Sequence, residues 1–330
     1  MSQNKKILLL STVCVFLCFA FFLDRGITSR AQVEVKGEKL LKGLKTEEIS
    51  GIEIENGKQV PGIKLNLEDE QWLISASDAV YPADNDRVRA LIARLADLSF
   101  YSISATKPGD WDKFAVGDTG AKTVKIYIQG EISPHIIIHA GSTVAGADQQ
   151  YIRVDDEPEV FSSDRIGPYM EGGESDWSDL SILQEYSDAG GISALSCSVK
   201  DRGGNIRGSI RIERRSGDEL QDDWIITEKN GRVFETPAQA DAYPDRIIRG
   251  LMSLKGDSFY QGRDFEQLKK DRSLVTCRIE SGSEVVSILK IWSGEEHYLV
   301  ETSVNQYVYK VGTWRLREVI NQLMGLMEIE

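Results

Sequence analysis

The chain has 330 residues, of which 41% are hydrophobic and 28% are charged, a composition that excludes an intrinsically disordered chain and provides for two domains of ordinary size. Its 39 lysine and arginine residues are outnumbered by 52 aspartate and glutamate residues, which gives a formal net charge of -13. Nucleic-acid binding rests on basic side chains that displace counterions from phosphates. Since the sequence has no basic stripe with interleaved aromatic residues, we expect no nucleic-acid partner.

The N-terminus carries the compartment signal. Lys5 and Lys6 precede an uncharged run, residues 7–23, that is just long enough to cross the hydrocarbon core of a bilayer as a helix. No A-x-A-like cleavage site is evident after it, so we predict an uncleaved transmembrane anchor, with a cleaved secretory signal as the alternative. Lysines on the short flank predict a cytoplasmic tail at residues 1–6 and a periplasmic location for the rest of a bacterial chain. Residues 7–23 then bind the inner membrane, and the polar residues 24–44 form a tether.

One pattern occurs twice after residue 45. Each copy has a tryptophan, an Asp-Arg pair, an amphipathic stretch and a Ser-Phe-Tyr triplet: Trp72, Asp86-Arg87 and Ser99-Phe100-Tyr101 in the first copy, and Trp224, Asp245-Arg246 and Ser258-Phe259-Tyr260 in the second. This self-similarity predicts two tandem homologous units, residues 45–171 and 192–330, joined by a Gly-rich hinge at 172–191. Features shared by both copies then belong to packing, and features found once are candidate sites.

The elements of each unit follow from hydrophobic periodicity. Ile49, Ile52 and Ile54 interleave with polar residues, which predicts a strand with one buried face. After a cap at Asp84 or Asn85, apolar residues at three-and-four spacing predict an amphipathic helix in each unit. The apolar residues are Val88, Leu91, Ile92, Leu95 and Leu98 in the first unit, and Ile247, Ile248, Leu251 and Leu254 in the second. Gly250 weakens the second helix.

Strand patterns follow each helix, at 123–129, 135–140, 151–154 and 160–161 in the first unit and at 274–279, 285–292, 298–301 and 307–311 in the second. A further amphipathic helix is predicted at 314–327. Strands in runs around one helix indicate an α+β fold, not a doubly wound parallel sheet. We predict two units, each mainly an antiparallel sheet with one principal amphipathic helix, after the N-terminal transmembrane helix.

Two cysteines lie outside the N-terminal segment. Aligning the copies places Cys197 opposite Ile54 and Cys277 opposite Ile126. Because both stand where the other copy has isoleucine, we predict two small buried apolar side chains with free thiols. A disulfide, which the periplasm permits, is the alternative.

The sequence offers few groups for chemistry. Residues 116–123 resemble a phosphate-binding loop but lack Gly directly before Lys, and a strand follows them. His135 and His139 lie about 13 Å apart on a strand pattern, too far for one metal, so we predict two exposed strand histidines. The acidic clusters at 155–157 and at 222–223 fit solvated turns. We therefore predict no catalytic residue, no cofactor site and no metal site.

The aromatic residues that occur in one copy are the candidates for a site. Trp177 lies in the hinge beside Asp176 and Asp179, and Trp292 lies in a strand. None of them has a counterpart in the other copy. We predict that these four residues contact a partner.

The order of motifs resembles a known family. Glu48-Ile-Ser-Gly-Ile-Glu-Ile, Trp72-Leu-Ile, Tyr81-Pro-Ala-Asp, Trp111-Asp-Lys-Phe and Tyr151-Ile-Arg-Val are similar to the bacterial domain-of-unknown-function family numbered four-three-four-zero, over residues 45 to about 325. The resemblance implies an N-terminal membrane segment and an association with gliding-type ABC transporters, whose auxiliary protein contains a related domain. The family has no established catalytic residues to carry over.

These observations lead to three hypotheses. The first is a membrane-anchored periplasmic accessory protein that is not an enzyme and assists an ABC-type transport or surface-assembly system by contacting its subunits. The second is a periplasmic module that binds a glycan, lipid or peptide in a groove between the copies. The third is a carboxylate-dependent hydrolase, which requires two acidic side chains that face each other across a cleft.

Overall fold

The computed structural model describes residues 34–39, 42, 45–56, 62–76, 79–183, 191–201, 203–215, 223–237, 243–262, 265, 269, 273–294 and 296–327. The chain divides into two compact units, unit 1 up to Asp179 and unit 2 from Leu180. The predicted anchor at 7–23 lies outside the described residues. Within them, no helix combines the length and the apolar character that a membrane span requires.

Unit 1 is built on one antiparallel sheet, which has ten strands within the described residues. They are β1 (Glu34–Lys39), β2 (Ile49–Asn56), β3 (Ile63–Glu68), β4 (Gln71–Ala76), β5 (Ala79–Pro82), β6 (Ser99–Ala105), β7 (Lys122–Ile128), β8 (Ile136–Thr143), β9 (Gln149–Val154) and β10 (Val160–Asp164). Their spatial order is β1-β6-β10-β9-β8-β7-β2-β3-β4-β5. The α-helices of this unit are α1 (Asn85–Asp97), α2 (Trp111–Phe114) and α3 (Glu174–Trp177).

Unit 2 has one antiparallel sheet of nine described strands. They are β11 (Ala194–Lys200), β12 (Ile206–Arg215), β13 (Asp223–Lys229), β14 (Arg232–Pro237), β15 (Ser258–Phe259), β16 (Val275–Ser281), β17 (Glu284–Ser293), β18 (His297–Thr302) and β19 (Val308–Gly312). Their order is β14-β13-β12-β11-β16-β17-β18-β19-β15. Two long helices accompany this sheet, α4 (Tyr243–Met252) and α5 (Thr313–Met327).

The two sheets have the same strand order. Read from β15 to β14, the sheet of unit 2 matches the sheet of unit 1 from β6 to β5, strand for strand. The principal helix connects β5 to β6 in unit 1 and the corresponding strands β14 and β15 in unit 2. The prediction of two antiparallel sheets with few helices is confirmed. Shared topology also gives positions on the matched strands of one sheet corresponding positions on the other, so packing features common to both units can be told from features of one unit.

The principal helix of unit 1 begins where the sequence indicates. The side chain of Asp84 accepts hydrogen bonds from the backbone N–H groups of Asp86 and Arg87 at 3.1 and 3.0 Å, so Asp84 is the cap. Its apolar stripe is buried, at Val88, Leu91, Ile92 and Leu95, and the helix lies against β4. Burial of such a stripe, more than intrinsic propensity, holds a 13-residue helix in place.

Gly250 in α4 has a packing role that the sequence pattern alone does not reveal. Helix α5 packs against α4, and a Cβ atom at Gly250 would lie 2.9 Å from Val319 Cγ2. Leu91 occupies the corresponding position in unit 1 and is fully buried. The glycine therefore lowers helix propensity but allows close approach of the second helix.

We expect Gly250→Ala to destabilise unit 2 and Gly325→Ala to stabilise it. Both changes favour a helix by about 1 kcal/mol, but the first also pushes against Val319, whose branched side chain is stiff in a helix. Among the described residues, no side chain or backbone outside the adjoining turns of the same helix lies within 4 Å of a Cβ at Gly325. The two variants should differ in free energy of unfolding by about 1–3 kcal/mol in chemical denaturation. Equal stability of the two would contradict the close packing of α4 and α5.

The boundaries of the units extend beyond the predicted repeats. Residues 34–39, predicted as tether, form β1 and pair with β6. Residues 172–179, predicted as hinge, belong to unit 1, where the backbone N–H of Asp84 donates to the carbonyl of Trp177 at 2.8 Å. Local composition predicts a polar linker in both places, but backbone pairing with the sheet of unit 1 fixes both segments.

The prediction of free thiols at Cys197 and Cys277 is wrong. Both side chains are buried, as expected, but they form a disulfide. The two residues are directly opposite on the neighbouring strands β11 and β16, with a Cα–Cα distance of 4.2 Å. Antiparallel partners at this separation bring their side chains together on one face of the sheet.

Candidate functional site

A segment of unit 1 covers one face of the sheet. We call residues 106–121, which include α2, the cover segment. The indole N–H of Trp111 donates to the carbonyl of Pro158 at 3.2 Å, and the ring of Phe114 packs edge-on against Tyr151 at 4.6 Å. The cover segment also contacts β8 at Gly141, where a glycine is required because a Cβ atom would collide with the carbonyl oxygen of Phe114. The cover segment therefore shields the strands beneath it from water.

Three polar side chains form a row under this cover. Thr123, His139 and Arg153 are direct neighbours across β7, β8 and β9, so their side chains share one face. Their exposed fractions are 8%, 9% and 0%, and Thr123 Oγ1 lies 3.4 Å from His139 Nδ1. A buried polar row of this kind is stable only when its members are hydrogen-bonded.

Arg153 has partners around its whole guanidinium group. Its Nε donates to the carbonyl of Val116 at 3.2 Å, Nη1 donates to the carbonyl of Asp155, and Nη2 donates to Asp118 Oδ1 at 3.4 Å. The guanidinium carbon lies 3.9 Å from the ring centre of Trp111. Arg153 thus fastens the cover segment to the sheet through hydrogen bonds and a cation–π contact. Each of the three guanidinium nitrogens thus bonds to a group of unit 1, and the role that these contacts indicate is structural.

The corresponding strands of unit 2 also carry a polar row, in which a glutamate stands where unit 1 has Arg153. Thr276, Lys290 and Glu301 are direct neighbours on β16, β17 and β18. Glu301 accepts from Lys269 at 2.7 Å and lies 3.8 Å from Lys290, and Lys269 in turn lies 5.0 Å from the ring centre of Phe265. In both units the charged residue on the third strand of the row bonds to the segment that precedes the first strand, Arg153 to Val116 and Glu301 to Lys269, which supports a packing role for Arg153.

His139 makes unit 1 sensitive to acid. Burial and the neighbouring positive charge of Arg153 hold the pKa of His139 below its ordinary value of 6.5. The unfolded chain therefore binds a proton at His139 near pH 6.5, whereas the folded chain binds it only at lower pH. As a result, the contribution of His139 to the stability of unit 1 falls between about pH 6.5 and the lowered pKa and is constant below it.

We expect His139→Gln to remove this part of the pH dependence. The measurement is chemical denaturation of the variant and the natural protein at several pH values between 7.5 and 4.5. His135→Gln is the matched control, since His135 is exposed and bonds to Glu131 at 3.2 Å. An unchanged acid slope in His139→Gln would contradict the assignment.

The carboxylates at the centre of each sheet are held in internal pairs. Glu53 accepts from the hydroxyl of Tyr127 at 2.9 Å and from Lys64 at 3.1 Å. Burial and the bond to Glu53 raise the pKa of Tyr127 to about 12. Burial alone would raise the pKa of Glu53, but its bonds to Lys64 and Tyr127 lower that pKa by more, so it lies below the ordinary value. In unit 2, Glu280 accepts two hydrogen bonds from Arg211, which lowers its pKa.

A cavity lies at the other face of unit 1. We call it the Trp72 groove. It is an open groove of about 330 Å³ between helix α1, a 3₁₀ turn before β2 and the turn end of β3 and β4. The residues that line it are Thr46, Glu47, Ile49, Leu67, Trp72, Arg89, Ile92 and Ala93. Trp72 is fixed in place because its backbone N–H donates to Asn85 Oδ1 at 3.3 Å.

The predicted partner residues belong to different units. Asp176, Trp177 and Asp179 lie together in unit 1, whereas Trp292 lies in unit 2. Trp177 is fully buried, donates from its indole N–H to the carbonyl of Glu171 at 3.2 Å and stacks with Arg87. Trp292 is 6% exposed and packs edge-on against Phe265 at 5.3 Å. Both indole rings are therefore core groups, and contact of a partner with Asp176 and Asp179 stays a prediction.

Other predicted features differ in outcome. His139 is buried and not exposed as predicted, because the cover segment lies over it, whereas His135 is exposed. Residues 155–157 form an exposed turn, as predicted. Residue 222 lies outside the described residues. In the described part of the chain, no three His, Cys, Asp or Glu side chains are grouped to hold a metal ion.

Sequence reasoning missed Arg153 and the Trp72 groove. Ile152 and Val154 on either side of Arg153 predict a strand, but their side chains lie on the opposite face and do not indicate that the face of Arg153 is covered. The groove had a weak signal. Ala93 is a small residue beside the apolar stripe of α1, and the second copy has Met252 there.

Comparison with known proteins gives one match. A family model described as Domain of unknown function (DUF4340) matches residues 72–271, more than half of the chain. No curated protein and no solved structure matches it.

Proposed function

The chain belongs to the DUF4340 family, and from this premise we propose that it is a membrane-tethered periplasmic accessory protein that acts through contacts with other proteins. The observation that carries the proposal is the buried disulfide between Cys197 and Cys277. Disulfides form and persist in oxidising compartments such as the periplasm and are rare in the cytosol. The apolar residues 7–23 provide the membrane tether in this proposal. The lysines before them place the rest of the chain on the periplasmic side, where a disulfide can form.

A role in protein contact is supported by the use of charged groups in the structure. The carboxylates Glu53 and Glu280 and the buried Arg153 all bond to groups of their own unit. Side chains arranged in this way stabilise a scaffold. A duplicated scaffold of this kind presents related surfaces twice, which suits assembly with a multisubunit partner.

The partner that we propose is an ABC-type transport or surface-assembly system, on the basis of the family resemblance. Full-length protein should be expressed from its natural context, cross-linked in intact cells and purified. We expect permease and ATPase subunits to be enriched. The matched control replaces residues 1–23 with a cleaved secretory signal, which preserves the compartment and removes the tether. Repeated recovery of the full-length protein alone would contradict the proposal.

A further inference from the structure

The residues that line the Trp72 groove in unit 1 differ from those at the corresponding positions of unit 2. Leu67 is directly opposite Trp72 across β3 and β4, and Arg214 is directly opposite Trp224 across β12 and β13. In unit 2 the Arg214 guanidinium lies 5.7 Å from the ring centre of Trp224. The two tryptophans are buried to the same degree, 6% exposed for Trp72 and 8% for Trp224, so the units differ in the residue beside the ring, an apolar leucine in unit 1 and an arginine in unit 2.

The corresponding residues of helices α1 and α4 also differ, in size and in exposure. The shared Ser-Phe-Tyr triplets align Arg89 and Ala93 of α1 with Ile248 and Met252 of α4. Ile248 and Met252 are 3% and 8% exposed, whereas Arg89 and Ala93 are exposed. Because both units share one topology, the fold does not require exposed residues at these two helix positions. Ala93, which lines the groove beside α1, has a smaller side chain than Met252.

The lining of the groove sets the chemistry of a ligand. Its floor and walls are apolar, at Trp72, Leu67 and Ile92, and its rim carries one positive and one negative group, Arg89 and Glu47. Neither Arg89 nor Glu47 forms an ion pair with another described residue. The volume of about 330 Å³ is at the small end of the range for small-molecule sites.

We propose that the Trp72 groove binds a small zwitterion with an apolar body, that is, an amino acid with an aliphatic or aromatic side chain. The apolar side chain lies on the indole ring of Trp72, the carboxylate faces Arg89 and the ammonium group faces Glu47. This binding site goes beyond the proposed accessory function and does not depend on it.

Three related probes test the proposal by equilibrium dialysis against the full-length protein in detergent micelles. L-phenylalanine carries both charges, N-acetyl-L-phenylalanine carries the carboxylate, and L-phenylalanine amide carries the ammonium group. We expect L-phenylalanine to bind most tightly and each singly charged probe to bind about fivefold more weakly, the effect of one exposed ion pair. Equal binding of all three probes, or no binding at millimolar concentration, would overturn the proposal.

Two variants localise the binding. Ala93→Met installs the residue that unit 2 has, and we expect it to weaken binding of L-phenylalanine at least about tenfold by filling the groove. Ala90→Met is the matched control, because Ala90 is exposed on the same helix and does not line the groove. Arg89→Met should reduce the affinity for L-phenylalanine to that for the amide. Binding that survives Ala93→Met unchanged would place the probe elsewhere and overturn the assignment.

Discussion

Arg153→Ala is expected to lower the free energy of unfolding of unit 1 by about 3–5 kcal/mol, the usual result of removing one partner from a buried charged network. The side chain is fully buried and holds the carbonyl groups of Val116 and Asp155 together with the ring of Trp111. Its loss leaves two acceptors without a donor and a void under the cover segment. Arg153→Lys should recover part of the loss, since an ammonium group cannot reproduce the planar fork.

The measurement is hydrogen exchange resolved by peptides, because it reports the opening of each unit separately. We expect peptides from β7, β8, β9 and the cover segment to lose protection in Arg153→Ala, while those from unit 2 keep it. Lys113→Ala is the control, since it removes an exposed ion pair with Asp110 in the same segment and should cost less than about 1 kcal/mol. Equal effects of the two variants would show that burial of Arg153 contributes nothing.

The arginine illustrates what periodicity predicts and what it leaves open. The alternation of apolar residues in 151–154 predicts a strand, and β9 is found there. Alternation assigns residues to two faces, but it does not say which faces are covered. Arg153 is buried because residues 106–121 return over the sheet, a long-range contact that no local pattern contains. For the same reason His139, predicted to be exposed, is buried.

The elements with strong local signals were predicted well. Helix α1 has a cap at Asp84 and a continuous apolar stripe, and the predicted C-terminal helix at 314–327 corresponds to α5. The strands β5 and β6 were missed because they lie directly next to the helix and are short or mixed in pattern. Residues 172–179 were predicted as hinge from their glycines, yet burial of Trp177 fixes them to unit 1.

The alignment of the cysteines contains a small error that concealed their pairing. Pairing Cys197 with Ile54 and Cys277 with Ile126 makes the two cysteines appear distant, because Ile126 is opposite Ile52 in the sheet. The strand partner of Ile54 is Val124. Aligning Thr276-Cys-Arg-Ile with Thr123-Val-Lys-Ile places Cys277 at Val124, and the two cysteines then correspond to directly opposite residues. A register error of two residues keeps the face of the sheet but changes the neighbour.

The disulfide is therefore expected to be the main covalent support of unit 2. Non-reducing peptide mapping should recover the peptides of Cys197 and Cys277 linked to each other. The bond closes a loop with a sequence separation of 80 residues, which corresponds to about 4 kcal/mol of stabilisation in the chain-entropy description. We expect Cys197→Ser with Cys277→Ser to lose this amount, and an additional 1–3 kcal/mol or so because two hydroxyl groups enter an apolar site.

A second double variant separates the covalent link from the packing. Cys197→Ile with Cys277→Val installs the residues that unit 1 has at Ile54 and Val124, so it removes the link and keeps an apolar pair between β11 and β16. We expect it to be more stable than the serine variant and less stable than the oxidised natural protein, as measured by chemical denaturation with and without a reductant. The reductant should lower the stability of the natural protein and leave both variants unchanged, since neither variant has the disulfide. Should the Ile–Val variant equal the oxidised protein, packing by itself would hold the centre of the sheet, as Ile54 and Val124 already do in unit 1.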